Sequence, residues 1–222
     1  MYEVMNTLFT LALLFSMNSV ATTVSYQPAL GPKSTIKYSI PYSLGISEGR
    51  VKKINGTVSL DLEHSSGTGE FHVPIDSIDT GSEERDCHLT EALGLNYRVS
   101  DFPKEHTCDS KNHAATTGKN AVVFSEIAFK ISSIKTHDVT VKEGIKTVTV
   151  YGTWTLHGVS RPDSFDLNIT QLENAIRVQG QTIFSLKDYG IEVKSAHILF
   201  VTISVRDQAK VDFDLVLTQV TP

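Results

Sequence analysis

The feature that most constrains this chain is a period-two alternation of apolar and polar residues along most of its length. Thr147 to Leu156 shows it best. Val148, Val150, Gly152, Trp154 and Leu156 fall on one side, and Thr147, Thr149, Tyr151, Thr153 and Thr155 on the other. Successive side chains of a strand point to opposite faces, so this is the pattern of a half-buried strand. The same reading holds for Ile36, Tyr38, Ile40, Tyr42 and Leu44, for Val58, Leu60 and Leu62, and for Phe71, Val73 and Ile75. It recurs in Ile127, Phe129 and Ile131, in Phe165, Leu167 and Ile169, in Ile176, Val178, Gly180, Phe184 and Leu186, and in Val211, Phe213, Leu215 and Leu217. No alternation of strand with helix appears, so the sheet is antiparallel. So many long strands must close or stack to hide their edges, which predicts a barrel or sandwich. With 222 residues and no repeat or low-complexity linker, one domain is expected.

Several local features refine this frame. Gly180 is placed to make a bend or bulge. Asp207-Gln208-Ala209 reads as a hairpin loop. Residues 197–205 are apolar on both faces at first, as in a strand covered by another element. The alternation breaks between residues 77 and 121. There Ser82 can cap a helix whose first turn carries Glu83 and Glu84, and Leu89, Ala92 and Leu93 share one face before Gly94. Asn96 to Asn120 follows as a long polar loop.

Composition excludes some functions. Lys and Arg number 20 against 25 Asp and Glu, a net charge of −5, which argues against nucleic-acid binding. Leu8 to Phe15 is a short apolar run, well under the roughly 20 residues of a membrane span. Followed by Ser19-Val20-Ala21, it reads as a secretory signal peptide over residues 1–21 with cleavage after Ala21, leaving residues 22–222 as the mature domain. The leader contains no Lys or Arg.

Three constellations invite chemistry. Asp79-Thr80-Gly81 matches the aspartic-protease tripeptide, but that mechanism needs two such carboxylates and only one copy is present. Cys87, His88, His106, Cys108 and His113 offer thiols and imidazoles for a zinc site, although the spacing fits no common finger. In an exported chain a Cys87–Cys108 disulfide is favoured, with metal binding and free thiols as the alternatives. Glu83, Glu84, Arg85 and His88 can be drawn as the acid–base cluster of a small hydrolase, or as a solvated helix face. None of the common catalytic and nucleotide-binding motifs is present.

Ser77-Ile78-Asp79-Thr80-Gly81-Ser82-Glu83-Glu84-Arg85-Asp86-Cys87-His88-Leu89 resembles the most distinctive segment of the YceI-like family. Gly152 to Pro162 is also similar, as are Ser34 to Ile40, Gly56 in its Ile54–Val58 context, and Lys187-Asp188-Tyr189-Gly190-Ile191. The resemblance spans roughly Gly31 to Thr218. It implies an exported, antiparallel, eight-stranded, lipocalin-like barrel with one short helix and a long loop insertion, binding a polyisoprenoid or quinone-type lipid. The chain departs from the family pattern between Leu93 and Pro103, after the helix, so the cover over one barrel mouth is expected to be rebuilt.

On that basis the inward set Ile36, Tyr38, Ile40, Tyr42, Phe71, Val73, Phe129, Val150, Trp154, Phe165 and Phe184 is expected to line a lipid-binding interior. No catalytic residue, metal or cofactor is expected, and the implied partner is an isoprenoid lipid in the periplasm or outside the cell. The rival readings are the hydrolase above and a ligand-free barrel serving as an interaction module.

Overall fold

The structure is a computed structural model that describes residues 23–29, 31, 34–101, 117–137, 144–192, 196–198 and 201–220. Its early strands are β1 (Val24–Pro28), β2 (Thr35–Tyr42), β3 (Gly45–Val51), β4 (Asn55–Asp61), β5 (Ser66–Pro74) and β6 (Ile78–Asp79). Helix α1 (Glu83–Gly94) follows. The rest are β7 (Glu126–Thr136), β8 (Ile145–Leu156), β9 (Val159–Gln171), β10 (Ala175–Ser185), β11 (Ala196–Ile198), β12 (Val201–Ile203) and β13 (Gln208–Gln219).

The hydrogen-bonded order is β1-β4-β5-β7-β8-β9-β10-β13, and β13 pairs back onto β1. β2 continues the path of β1 along β13, and β3 pairs with β2 before the chain turns into β4. Taking β1 with β2 and β3 with β4 as interrupted staves, the sheet is a closed antiparallel barrel of eight staves. Closure removes the free edges that an open sheet of this size would expose.

The alternation read from the sequence sets which residues face inward. Along β8, Val148 and Val150 are buried while Tyr151 is exposed. At β4, Gly56 has φ of +133°, and a Cβ there would stand 2.1 Å from the Glu70 carbonyl oxygen, so only glycine fits. The β8–β9 turn is His157-Gly158, both with positive φ (52° and 72°), as a two-residue hairpin of the favoured twist requires.

Three local expectations are corrected. The ladder to β13 runs unbroken through Gly180, opposite Phe213, so there is no bulge on that side, while the ladder to β9 ends at the Gly180–Leu167 pair. The glycine's missing side chain instead makes room for Leu167, whose Cδ2 lies 2.4 Å from where a Cβ would sit. The irregularity falls between Ile131 and Ser133 on β7, where Ser132 is extra. Asp207-Gln208-Ala209 is not a hairpin loop. Gln208 already begins β13, which pairs with β10 and not with the preceding segment. Asp207 is a joint, accepting from the Ser185 hydroxyl at 2.6 Å and the Lys187 amide at 2.8 Å. Residues 197–205 contain parts of two short strands, β11 and β12, which pair with each other outside the barrel sheet.

The segment before α1 is a wrap of hydrogen bonds. Asp79 accepts from Arg50 at 2.9 Å and pairs with Lys52 at 3.3 Å, tying β6 to β3, and its Oδ1 accepts from the Gly81 amide. Asp86 Oδ1 accepts from both the amide and the hydroxyl of Thr80, and Ser82 caps the helix by accepting from the Arg85 amide. Asp-Thr-Gly is thus the turn that aims α1, and the protease reading is not supported. Gly94 ends the helix through close packing: a Cβ there would stand 2.7 Å from both Ile75 and Val122.

Candidate functional site

The site is built by the inward faces of the barrel. At the end of the barrel away from α1, the side chains of Tyr26, Val58, Leu60, Val148, Ile169 and Ile176 are buried in one cluster and form the floor, and Tyr26, Leu60 and Ile169 also line a second, more polar pocket. Toward α1 the staves line a partly open cavity of about 180 Å³. Its wall takes Ile36, Tyr38 and Ile40 from β2, Phe71 and Val73 from β5, and Ile127, Phe129 and Ile131 from β7. Val150, Trp154 and Leu156 come from β8, Phe165 and Leu167 from β9, Val178 and Phe184 from β10, and Val211, Phe213, Leu215 and Leu217 from β13. Leu89 and Leu93 of α1, with Ile78, close over the top.

Ten of the eleven residues expected inside therefore surround one cavity; Tyr42 is the exception. It sits where β2 and β3 run beyond the barrel rim, with its hydroxyl 3.3 Å from where a Cβ on Gly45 would lie. Leu44, expected on the same face, is 64% exposed at the hairpin tip. Alternation continues past the rim, so period alone cannot mark where the interior ends. Leu89, Leu93 and Ile78, which the sequence did not place in the interior, complete the wall because a helix folds over the mouth.

The wall is hydrocarbon and aromatic. Trp154 stacks near Phe129 (4.3 Å between centroids) and meets Phe184 edge-on at 4.9 Å, and Phe165 bridges Phe129 and Phe213. Among the described residues, Trp154 and Tyr38 are the only lining side chains with polar atoms. The indole N–H of Trp154 is committed to Asp163, which also accepts from Thr182. Such a space can take up apolar chain at about 0.8 kcal/mol per buried CH₂.

Size limits what it holds. An engineered protein cavity of about 150 Å³ takes one benzene. At about 180 Å³ this one accepts on the order of one or two isoprene units before the aromatic wall must rearrange. A longer chain needs those rings to rotate.

Residues that hold this cover in place escaped the sequence reading. His157 Nδ1 lies 3.0 Å from the Leu93 carbonyl, which can only accept, so Nδ1 carries the proton. Its ring packs between Tyr97 (4.7 Å) and Phe124 (4.6 Å). The Tyr97 hydroxyl donates to the Ala92 carbonyl, and Val123 and Phe124 both donate to the Gly94 carbonyl. These contacts join residues far apart in sequence, so no local pattern signals them.

The charged cluster lies on the outer face of α1. Glu83, Glu84 and Arg85 are exposed, and His88 approaches Glu84 only at 3.9 Å. None of them lines the cavity. Among the described residues no group of three or more His, Cys, Asp or Glu could hold a metal. His106, Cys108 and His113 lie outside the described residues. Cys87 is buried on α1, and no described cysteine is free.

The sequence model of the YceI-like domain matches residues 32–217. No curated protein matches the chain. Among solved structures, a polyisoprenoid binding domain from Saccharophagus degradans, implicated in plant cell wall breakdown, aligns with a TM-score of 0.58 at 17% identity, covering 90% of this chain and all (100%) of that one. BcnA of Burkholderia cenocepacia aligns with a TM-score of 0.58 at 14% identity, covering 83% of this chain and 96% of that one. The YceI protein of Campylobacter jejuni gives 0.52 at 14% identity, covering 79% and 86%. At such identities the likeness is one of fold.

Proposed function

The chain belongs to the YceI-like family, and from that premise we propose that it is an exported protein that binds a polyisoprenoid or isoprenoid quinone by taking its apolar chain into the barrel. The observation that carries this reading is the cavity: ten of the residues read as interior from sequence surround it, and its wall is apolar apart from two ring substituents. The similarity of fold to a polyisoprenoid binding domain supports the same ligand class. Where the groups lie supports binding over catalysis. The acid–base residues of the cluster sit on the outer face of α1, and none of the described residues lining the cavity is charged. A ligand-free interaction module is less well supported, because a barrel that only presents a surface gains nothing from an unfilled interior.

Export is the second part of the proposal. The apolar run before Ser19-Val20-Ala21 supports cleavage after Ala21 and a mature chain beginning at Thr22, residues that lie outside those described. A Cys87–Cys108 disulfide fits that compartment and is supported by the burial of Cys87 and the lack of a free described cysteine.

Denaturing extraction of the purified protein followed by mass spectrometry tests the ligand. A co-purified isoprenoid lipid, or uptake of one from a mixture offered to stripped protein, is the expected result. Protein that carries no lipid and gains none overturns the reading. N-terminal sequencing of exported material tests the address, and cytosolic protein retaining residues 1–21 overturns it.

A further inference from the structure

We infer that the Tyr38 hydroxyl anchors the polar end of the bound lipid, and that this end is an uncharged hydrogen-bond acceptor, an alcohol or a quinone carbonyl. This rests on the reading of the barrel as an isoprenoid-binding one. Of the two cavity-lining side chains with polar atoms, Trp154 already spends its N–H on Asp163 at 3.2 Å. The Tyr38 hydroxyl is buried, and no described residue gives it a hydrogen-bond partner. A buried donor left unmet is costly, so an acceptor brought by a ligand gains more here than at a wetted surface.

The ring is laid in this position by its neighbour. Tyr38 sits opposite Gly49 in the β2–β3 ladder, and a Cβ on Gly49 would fall 2.5 Å from the Tyr38 hydroxyl oxygen. Glycine lets the ring lie flat against β3, where the hydroxyl has almost no free surface, so a turn of the ring from Gly49 toward the cavity is what brings it to a ligand. Ile36 lies deeper on the same strand face and Ile40 nearer the rim. A head group held at Tyr38 therefore lies at the α1 end and directs its tail toward the floor.

The same surroundings choose the head group. Burial, with Asp86 as the next cause, pushes the phenol up to about 12, so it remains a donor at physiological pH. Asp86 disfavours an anion beside it more than the exposed Arg85 favours one, and Asp79, itself paired with Arg50 and Lys52, adds the smallest share. The rest of the wall is hydrocarbon, where an unpaired charge is costly. A neutral acceptor meets each condition; a diphosphate does not.

The test uses three probes with one ten-carbon chain: geraniol, the corresponding hydrocarbon without the hydroxyl, and geranyl diphosphate. Trp154, the single tryptophan of the chain, lines the cavity and reports binding by fluorescence. Wild-type protein is expected to bind geraniol about tenfold more tightly than the hydrocarbon, and the diphosphate weakest. Tyr38→Phe is expected to lose that tenfold preference by weakening geraniol alone. The empty variant should melt no lower than wild type, because it removes an unmet donor. Equal binding of geraniol and hydrocarbon by wild type, unchanged geraniol binding by Tyr38→Phe, or tightest binding of the diphosphate each overturns the anchor while leaving the isoprenoid reading standing. Failure of wild type to bind any of the three overturns both.

Discussion

The indole N–H of Trp154 donates to Oδ2 of Asp163 on the neighbouring strand, 3.2 Å away, and Thr182 donates to the same oxygen from the other side, also at 3.2 Å. One carboxylate thereby fixes the ring at the centre of the aromatic wall. Asp163→Ala strands a buried hydroxyl and a part-buried indole N–H. It should cost about 1–3 kcal/mol in denaturant unfolding and shift Trp154 emission, while Asp163→Asn, which keeps an acceptor, should cost less. Equal stabilities for the two variants would show that the bonds do not matter.

Opposite faces of β8 should tolerate charge differently. Val150 is 3% exposed and lines the cavity, whereas Thr149 points outward, donating to Asp166 at 2.6 Å. Val150→Lys places an ammonium in hydrocarbon. It should abolish lipid retention and lower stability by on the order of 3 kcal/mol or more. Thr149→Lys meets water and the Asp166 carboxylate and should do neither. Equal lipid content in the two purified variants would show that the ligand is not inside.

That contrast was legible in the sequence because strand period is local and strict. The closed sheet and most of the cavity wall follow from it. What it left out depends on distance. Tyr42 continues the alternation of β2, but the barrel wall stops before it. The β7 bulge left a trace that was passed over: Ile127, Phe129 and Ile131 keep one phase, and the next buried residue, Ile134, keeps the other. Gly180 carries no bulge toward β13, because glycine has two uses in a strand and here it serves close packing against Leu167. His157 touches Leu93, 64 residues away, which no local pattern reports.

Acid should weaken the barrel through its outer carboxylates. Arg177 donates to both oxygens of Asp214, at 2.7 and 2.6 Å, and Gln179 adds a third bond. The Arg177 hydrogen bonds, against some desolvation, hold the Asp214 carboxyl below its ordinary value. A carboxylate lowered on folding contributes stability that is fully present above the unfolded value, near pH 4, and is lost as pH falls through the folded one. Because the pair is partly exposed, its worth is about 0.5–1 kcal/mol. Asp214→Asn should therefore lower the melting temperature slightly at pH 7, and the gap to wild type should close by about pH 2. A gap that persists undiminished at low pH would assign the loss to packing instead of charge.

The helix over the mouth should depend on its cysteine. Cys87 is buried on α1, two residues before Leu89, which closes the cavity. A bond to Cys108 would close a loop of about 20 residues, for which the chain-entropy account gives on the order of 3 kcal/mol. Intact-mass measurement of native protein should show no alkylation before reduction and two alkylated thiols after it. Reduction should lower stability by up to about 3 kcal/mol, while the barrel strands, whose ladders do not involve the pair, keep their far-ultraviolet signature. Because α1 supplies Leu89 and Leu93 to the top of the cavity, a loosened helix should also release ligand faster. Two thiols reactive in native, unreduced protein would remove the disulfide, and zinc retained through dialysis would replace it with a metal site. Unchanged ligand release after reduction would show that α1 is held by the His157 and Gly94 contacts alone.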